Sequence, residues 1–130
     1  MMKQAKSKMK LRKILVVDDD PKMRKILSEF LSKYYNFQII EAEDGLDAIS
    51  KTFKHKFNVV ISDLEMPEMN GLEFMGYLKT ISDYDRIPKF FMTSNKKNFN
   101  KEKAKKIGVN TFLSKPLNST ELKNVLDKLF

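Results

Sequence analysis

The acids of this 130-residue chain are gathered at a few places. Asp18, Asp19 and Asp20 stand directly after an apolar run, Ile14 to Val17. Asp63 follows a second run, Val59 to Ile61 with Ser62. Thr93-Ser94 closes a third, and Ser114-Lys115-Pro116 a fourth. Short continuous apolar runs of this kind are expected of strands buried on both faces. In open α/β sheets, ligands bind beyond the carboxyl ends of the strands, where the strand order reverses. If the strands that end at Asp18 and Asp63 are neighbours, three carboxylates, a hydroxyl and a lysine converge there. Carboxylates so close remain ionised only with a cation among them. The chain has no cysteine and one histidine, so the ligands are oxygens and the ion is a hard one, Mg²⁺ (or Mn²⁺). Such an ion joins one or two carboxylates to a phosphate and leaves another free as nucleophile. A lysine ammonium and a threonine hydroxyl would neutralise and orient the phosphoryl group. The set describes phosphoryl transfer to an aspartate.

The rest of the chain must place these groups. Composition limits the possibilities: 42% hydrophobic and 32% charged residues suit one compact domain with a core. The missing cysteines exclude a disulfide scaffold and a thiolate metal site, and the lone His55 speaks against a His-based triad. The basic start (Lys3, Lys6, Lys8, Lys10) is followed by too short an apolar run for a secretory signal. Nothing is long and apolar enough for a membrane span, so a cytoplasmic protein is expected. Residues 1–10 read as a basic flexible tail and residues 11–130 as the domain.

Along that domain, strands and helices alternate. Asp20-Pro21 is a helix cap with proline at the first position, and Met23, Ile26, Leu27, Phe30, Leu31 and Tyr34 share one helical face. Phe37 to Glu41 reads as a strand. Asp44-Gly45 opens the next helix, with Leu46, Ile49 and Phe53 expected inward. A loop from Leu64 to Met69 leads to a capping box, Asn70 with Glu73, and a Met69–Phe74 hydrophobic staple. Lys89 to Thr93 is the fourth strand, and a lysine-rich helix runs from about Asn98 to Ile107 before Gly108. Thr111 to Ser114 is the fifth strand. Asn118 and Glu121, with Leu117 and Leu122, open the last helix, whose inward stripe is Leu122, Val125, Leu126 and Leu129. Five β-then-α units imply a parallel sheet with helices on both faces.

Five motifs in order, Val17-Asp18-Asp19-Asp20, Ser62-Asp63-Leu64-Glu65-Met66-Pro67, Met69-Asn70-Gly71, Met92-Thr93-Ser94 and Phe112-Leu113-Ser114-Lys115-Pro116, make the chain similar to the receiver domain of two-component response regulators. The resemblance runs from about Leu11 to Phe130 and is strongest to the single-domain chemotaxis type. It implies a flavodoxin-like, doubly wound five-stranded parallel sheet of order 2-1-3-4-5 with five helices. It implies that Asp63 is the phosphoacceptor and that Asp18, Asp19, Asp63 and the Glu65 backbone carbonyl hold Mg²⁺. By the same resemblance Thr93 and Lys115 meet the phosphoryl group, Thr93 and Phe112 form the switch, and the Lys115–Pro116 bond is cis. A histidine kinase or phosphotransfer protein would be the donor, and an effector would bind the face of helix 4, strand 5 and helix 5. The chain would be a monomeric signalling protein rather than a turnover enzyme.

Four positions stand out against the usual pattern: Ser94 stands where alanine is common, Phe112 lacks the tyrosine hydroxyl often found there, and Glu65 and Asn95 occupy variable positions that tune hydrolysis. Taken singly, the Asp18–Asp20 cluster also reads as acids favoured by a helix dipole, Asp63 as a turn residue, and Lys115 as a solvated lysine. Met66 and Met69 are expected to be exposed in the loop. The net charge of +8 suggests an acidic effector. A nucleic-acid-binding module is the alternative, but no helix-turn-helix or aromatic basic stripe supports it. A Mg²⁺-dependent phosphatase-like enzyme is a further one, although its nucleophile is expected on the first strand and the candidate nucleophile here, Asp63, ends the third.

Overall fold

The computed structural model describes residues 12–94, 100–109 and 111–128. The basic tail, Asn95, Leu129 and the start expected for the lysine-rich helix lie outside them. In chain order the elements are β1 (Arg12–Val17), α1 (Pro21–Tyr34), β2 (Phe37–Ala42), α2 (Gly45–Lys54), β3 (Val59–Asp63), α3 (Gly71–Lys79), a 3₁₀ turn (Ser82–Tyr84), β4 (Lys89–Thr93), α4 (Lys101–Lys106), β5 (Thr111–Ser114) and α5 (Ser119–Asp127).

All five strands pair in parallel, in the order β2-β1-β3-β4-β5. The order reverses between β1 and β3. In register, Val17 pairs with Ser62, Asp63 with Met92, and Thr93 with Ser114, so the ends of β1, β3, β4 and β5 stand side by side. Strands β3 and β4 are buried at every position: the apolar stretches Val59–Ile61 and Phe90–Met92 suit strands covered on both faces, and the polar Ser62, Asp63, Lys89 and Thr93 at their ends are buried with them.

Two apolar layers cover the sheet. On one face Ile14, Val16, Val59, Ile61, Phe90 and Met92 pack against Leu27 and Leu31 of α1 and Leu122 and Leu126 of α5. On the other, Leu15, Val17, Val60 and Phe91 meet Ala48 of α2, Phe74, Met75 and Leu78 of α3, and Ala104 of α4. Each fully buried leucine or phenylalanine contributes about 1.5–3 kcal/mol.

The helix starts are built as their sequences suggest. Asp20 and Asp44 accept backbone N–H groups of Lys22 and Asp47. Asn70 and Glu73 form a complete capping box, and Asn118 Oδ1 accepts from Thr120 and Glu121.

Three expectations are corrected. Leu46 and Phe53 do not face the core; they are 57% and 80% exposed. Helix α2 rests on the small residues Gly45 and Ala48, and a Cβ at Gly45 would lie 2.7 Å from the Met69 side chain. So close an approach leaves a seat too narrow for the larger residues beside it. On α1, Ile26 and Tyr34 are likewise exposed, while Leu27 and Leu31 carry the contact. Met66 is buried rather than exposed, and Met69 is half-buried, because the loop after β3 folds back onto the core. Its left-handed residue, Glu68 at φ 66°, makes that turn.

Candidate functional site

The loops that leave the strand ends are tied to the sheet by backbone hydrogen bonds. Asp18 N–H donates to Ala42 O (3.1 Å), Leu64 N–H to Met92 O (2.9 Å) and Lys115 N–H to Thr93 O (2.9 Å). Gly71 N–H donates to Leu64 O (2.8 Å), which brings the start of α3 against β3. A Cβ at Gly71 would strike the carbonyl oxygen of Asp63 and lie 2.9 Å from the Phe91 ring. The Asn70-Gly71 pair therefore has two jobs: one residue caps the helix, and the other lets it approach the backbone of Asp63.

Asp18 and Asp63 are buried, Asp19 is exposed, and one ligand oxygen from each lies within 4.8 Å of the others. Lys115 reaches between the two buried acids, with Nζ 3.0 Å from Asp18 Oδ2 and 3.1 Å from Asp63 Oδ2. Asp18 Oδ1 accepts Asp20 N–H at 2.9 Å. Asp63 Oδ1 is buried and has no hydrogen-bond partner among the described residues. An orphaned carboxylate oxygen is costly, and here it belongs to the carboxylate nearest the middle of the strand ends. Three carboxylates against one ammonium leave negative charge uncompensated. An oxygen-only set of this kind, with one oxygen orphaned and one acid open to solvent, fits a hard divalent cation.

Burial pushes the Asp63 carboxyl up to about 6, and the charge of Asp18 pushes the same way. The ammonium of Lys115 opposes both, while Glu65 adds a smaller upward push. Burial would depress the Lys115 ammonium, but the two carboxylates that it touches outweigh it and raise it instead.

Thr93, 1% exposed, donates its hydroxyl to Glu65 Oε1 at 2.6 Å. Phe112 is half-buried and stacks on Phe91, with ring centroids 6.3 Å apart. The Lys115–Pro116 bond is cis. Asp18, Asp19, Asp63, Thr93 and Lys115 are thus brought to one crevice, with Glu65 on its rim and Phe112 one strand away.

Two contributors were not legible in the sequence. Arg24, in the first turns of α1, donates to the Asp18 carbonyl at 2.6 Å and to Glu41 Oε1 at 3.1 Å, which braces the acidic loop. Its position reads only as the polar side of a helix. The Thr93–Glu65 bond joins residues 28 apart in sequence, and no spacing rule announces it.

The comparisons agree with this geometry. The family model for the response regulator receiver domain matches residues 14–127. The chemotaxis protein CheY-3 of Vibrio cholerae is 33% identical over 91% of both chains. The hybrid signal transduction histidine kinase D of Dictyostelium discoideum is 34% identical over 84% of this chain, which spans 7% of that kinase's length. The solved structure of the Vibrio cholerae chemotaxis protein CheY4 superposes with a TM-score of 0.85, at 31% identity, over 93% of this chain and all of that one. Sheet order, motif set and overall likeness lead to one placement: the chain belongs to the response regulator receiver domain family.

Proposed function

We propose that Asp63 accepts a phosphoryl group from a phosphohistidine on a histidine kinase or phosphotransfer protein. The observation that carries this reading is the buried Asp63 carboxylate, with one oxygen on Lys115 and the other without a hydrogen-bond partner among the described residues. An Asp63 oxygen attacks phosphorus in line; the new O–P bond forms as the N–P bond breaks and the imidazole leaves. Lys115 draws charge from the acyl phosphate, and Thr93 donates to a phosphoryl oxygen. Asp18, Asp19, Asp63 and the Glu65 carbonyl would hold Mg²⁺ or Mn²⁺, which when bound neutralises charge shared between carboxylate and phosphoryl oxygens.

The hydroxyl of Thr93 moves toward the phosphoryl group, and Phe112 turns into the space it leaves. The changed face of α4, β5 and α5 binds an effector. Two or three charge-assisted hydrogen bonds, roughly 1.5–3 kcal/mol each, are enough to shift a two-state balance by the several kcal/mol such a switch needs. Hydrolysis restores Asp63, so the chain signals and does not turn over a substrate. The likeness to CheY-3 over most of both chains supports a cytoplasmic role of the chemotaxis kind. Among the described residues no helix is long and apolar enough to cross a membrane.

Acetyl phosphate with Mg²⁺ is expected to place a phosphoryl group on the peptide holding Asp63, read by mass spectrometry. Asp63→Asn is expected to abolish it; undiminished labelling of that variant would overturn the assignment.

A further inference from the structure

We infer that Glu65 is a positioning residue that holds Thr93 in the unphosphorylated protein and must release it before a phosphoryl group on Asp63 can be bound. The inference rests on the proposed role of Asp63 as phosphoacceptor. Thr93 Oγ1 donates to Glu65 Oε1 at 2.6 Å, the length of a charge-assisted O–H···O⁻ bond. A hydroxyl carries one proton and donates to one acceptor at a time. The donor needed by a phosphoryl oxygen is therefore already committed to another anionic oxygen on the same chain.

The two ends of this bond differ in freedom. Thr93 is buried at the end of β4, whereas Glu65 is exposed on the loop after β3. Thr93 can only turn its hydroxyl in place at the strand end, so it is Glu65 that gives up the contact and moves away as that hydroxyl turns toward the phosphoryl group. A phosphoryl group adds negative charge two residues from it and repels the carboxylate that it replaces. A hollow of about 620 Å³, bordered by Glu65, Met66, Pro67, Asn70 and Leu72, opens beside the loop and can take the released side chain into water. Binding of a phosphoryl group is thus an exchange of one anion for another at Thr93.

Titration of the full chain with beryllofluoride and Mg²⁺, a phosphoryl mimic, tests this. Glu65→Ala is expected to tighten binding ~10-fold, the equivalent of one charge-assisted hydrogen bond no longer broken. Glu65→Gln, which keeps an acceptor oxygen but loses the charge, is expected to fall between wild type and Glu65→Ala. In a Thr93→Ala background the gain from Glu65→Ala is expected to drop below about twofold, and in a Thr93→Ser background it is expected to persist. Equal gains from Glu65→Ala with Thr93 intact and with Thr93→Ala, or equal gains from Glu65→Gln and Glu65→Ala, would mean that plain charge repulsion accounts for the effect and would overturn the inference. The methyl NMR signal of Thr93 without any mimic is a separate readout: Glu65→Ala is expected to move it, and an unmoved signal also overturns the inference. Failure of every variant, wild type included, to bind the mimic would count against Asp63 as phosphoacceptor, and the Thr93 methyl signal would then decide the contact with Glu65 by itself.

Discussion

Asp63 is held where its charge is disfavoured. Burial first, and then the charge of Asp18, raise its pKa from 3.8 to about 6. Between those values the folded chain keeps a proton that the unfolded chain releases. Stability therefore falls as pH rises through that window, and the loss is complete above about pH 6. The cost is on the order of 1–3 kcal/mol. In the absence of metal, Asp63→Asn is expected to be more stable than wild type at pH 8, with the advantage gone by about pH 4. Urea denaturation in a chelator at both pH values measures it. A variant less stable at pH 8 would mean that the ion pair with Lys115 outweighs burial. The residue types at this site were readable in the sequence because a carboxylate cluster, a hydroxyl and a lysine at strand ends admit few chemistries. The pairings were not: neither Lys115 lying between two acids nor Thr93 donating to Glu65 follows from spacing.

Helix starts and strand cores were legible because they depend on near neighbours: a side-chain oxygen before a turn, an apolar run between polar ends. Helix faces were less so. Leu46, Ile49 and Phe53 keep helical periodicity, yet the contact face of α2 is set by the buried Gly45, which lies against the Met69 side chain, and Ala48. Periodicity locates a stripe; the closest-packed line within or beside it is chosen by the neighbouring element. Phe53→Ser is accordingly expected to change stability by less than about 0.5 kcal/mol. Phe74→Ala in α3, whose ring is fully buried, is expected to cost roughly 3–5 kcal/mol. Thermal or urea unfolding of the pair checks the orientation of α2, and a large loss from Phe53→Ser would contradict it.

Over the whole molecule, the charge of +8 is unevenly placed: the crevice is acidic, while α4 carries exposed Lys101, Lys103, Lys105 and Lys106 against Glu102. A helix so basic on the proposed output face favours an acidic effector through long-range attraction. Capture of such an effector by the beryllofluoride-bound protein is expected to weaken by about 0.5 M salt, where screening acts within a few ångströms. Retention on random DNA that is salt-sensitive but indifferent to beryllofluoride would favour a nucleic-acid partner instead.

The sequence by itself determined the alternation of strands and helices, the caps that begin the helices, and the identities of the groups at the strand ends. These are local matters of hydrogen bonding and apolar spacing. Tertiary structure decided which strands are neighbours, and so which acids stand together, and it aimed Lys115 and Arg24 at groups far away in the chain. It also decided which side of α2 is covered and which oxygen holds Thr93. Those outcomes come from close packing of distant segments, where the shape of one element selects the contacts of the next.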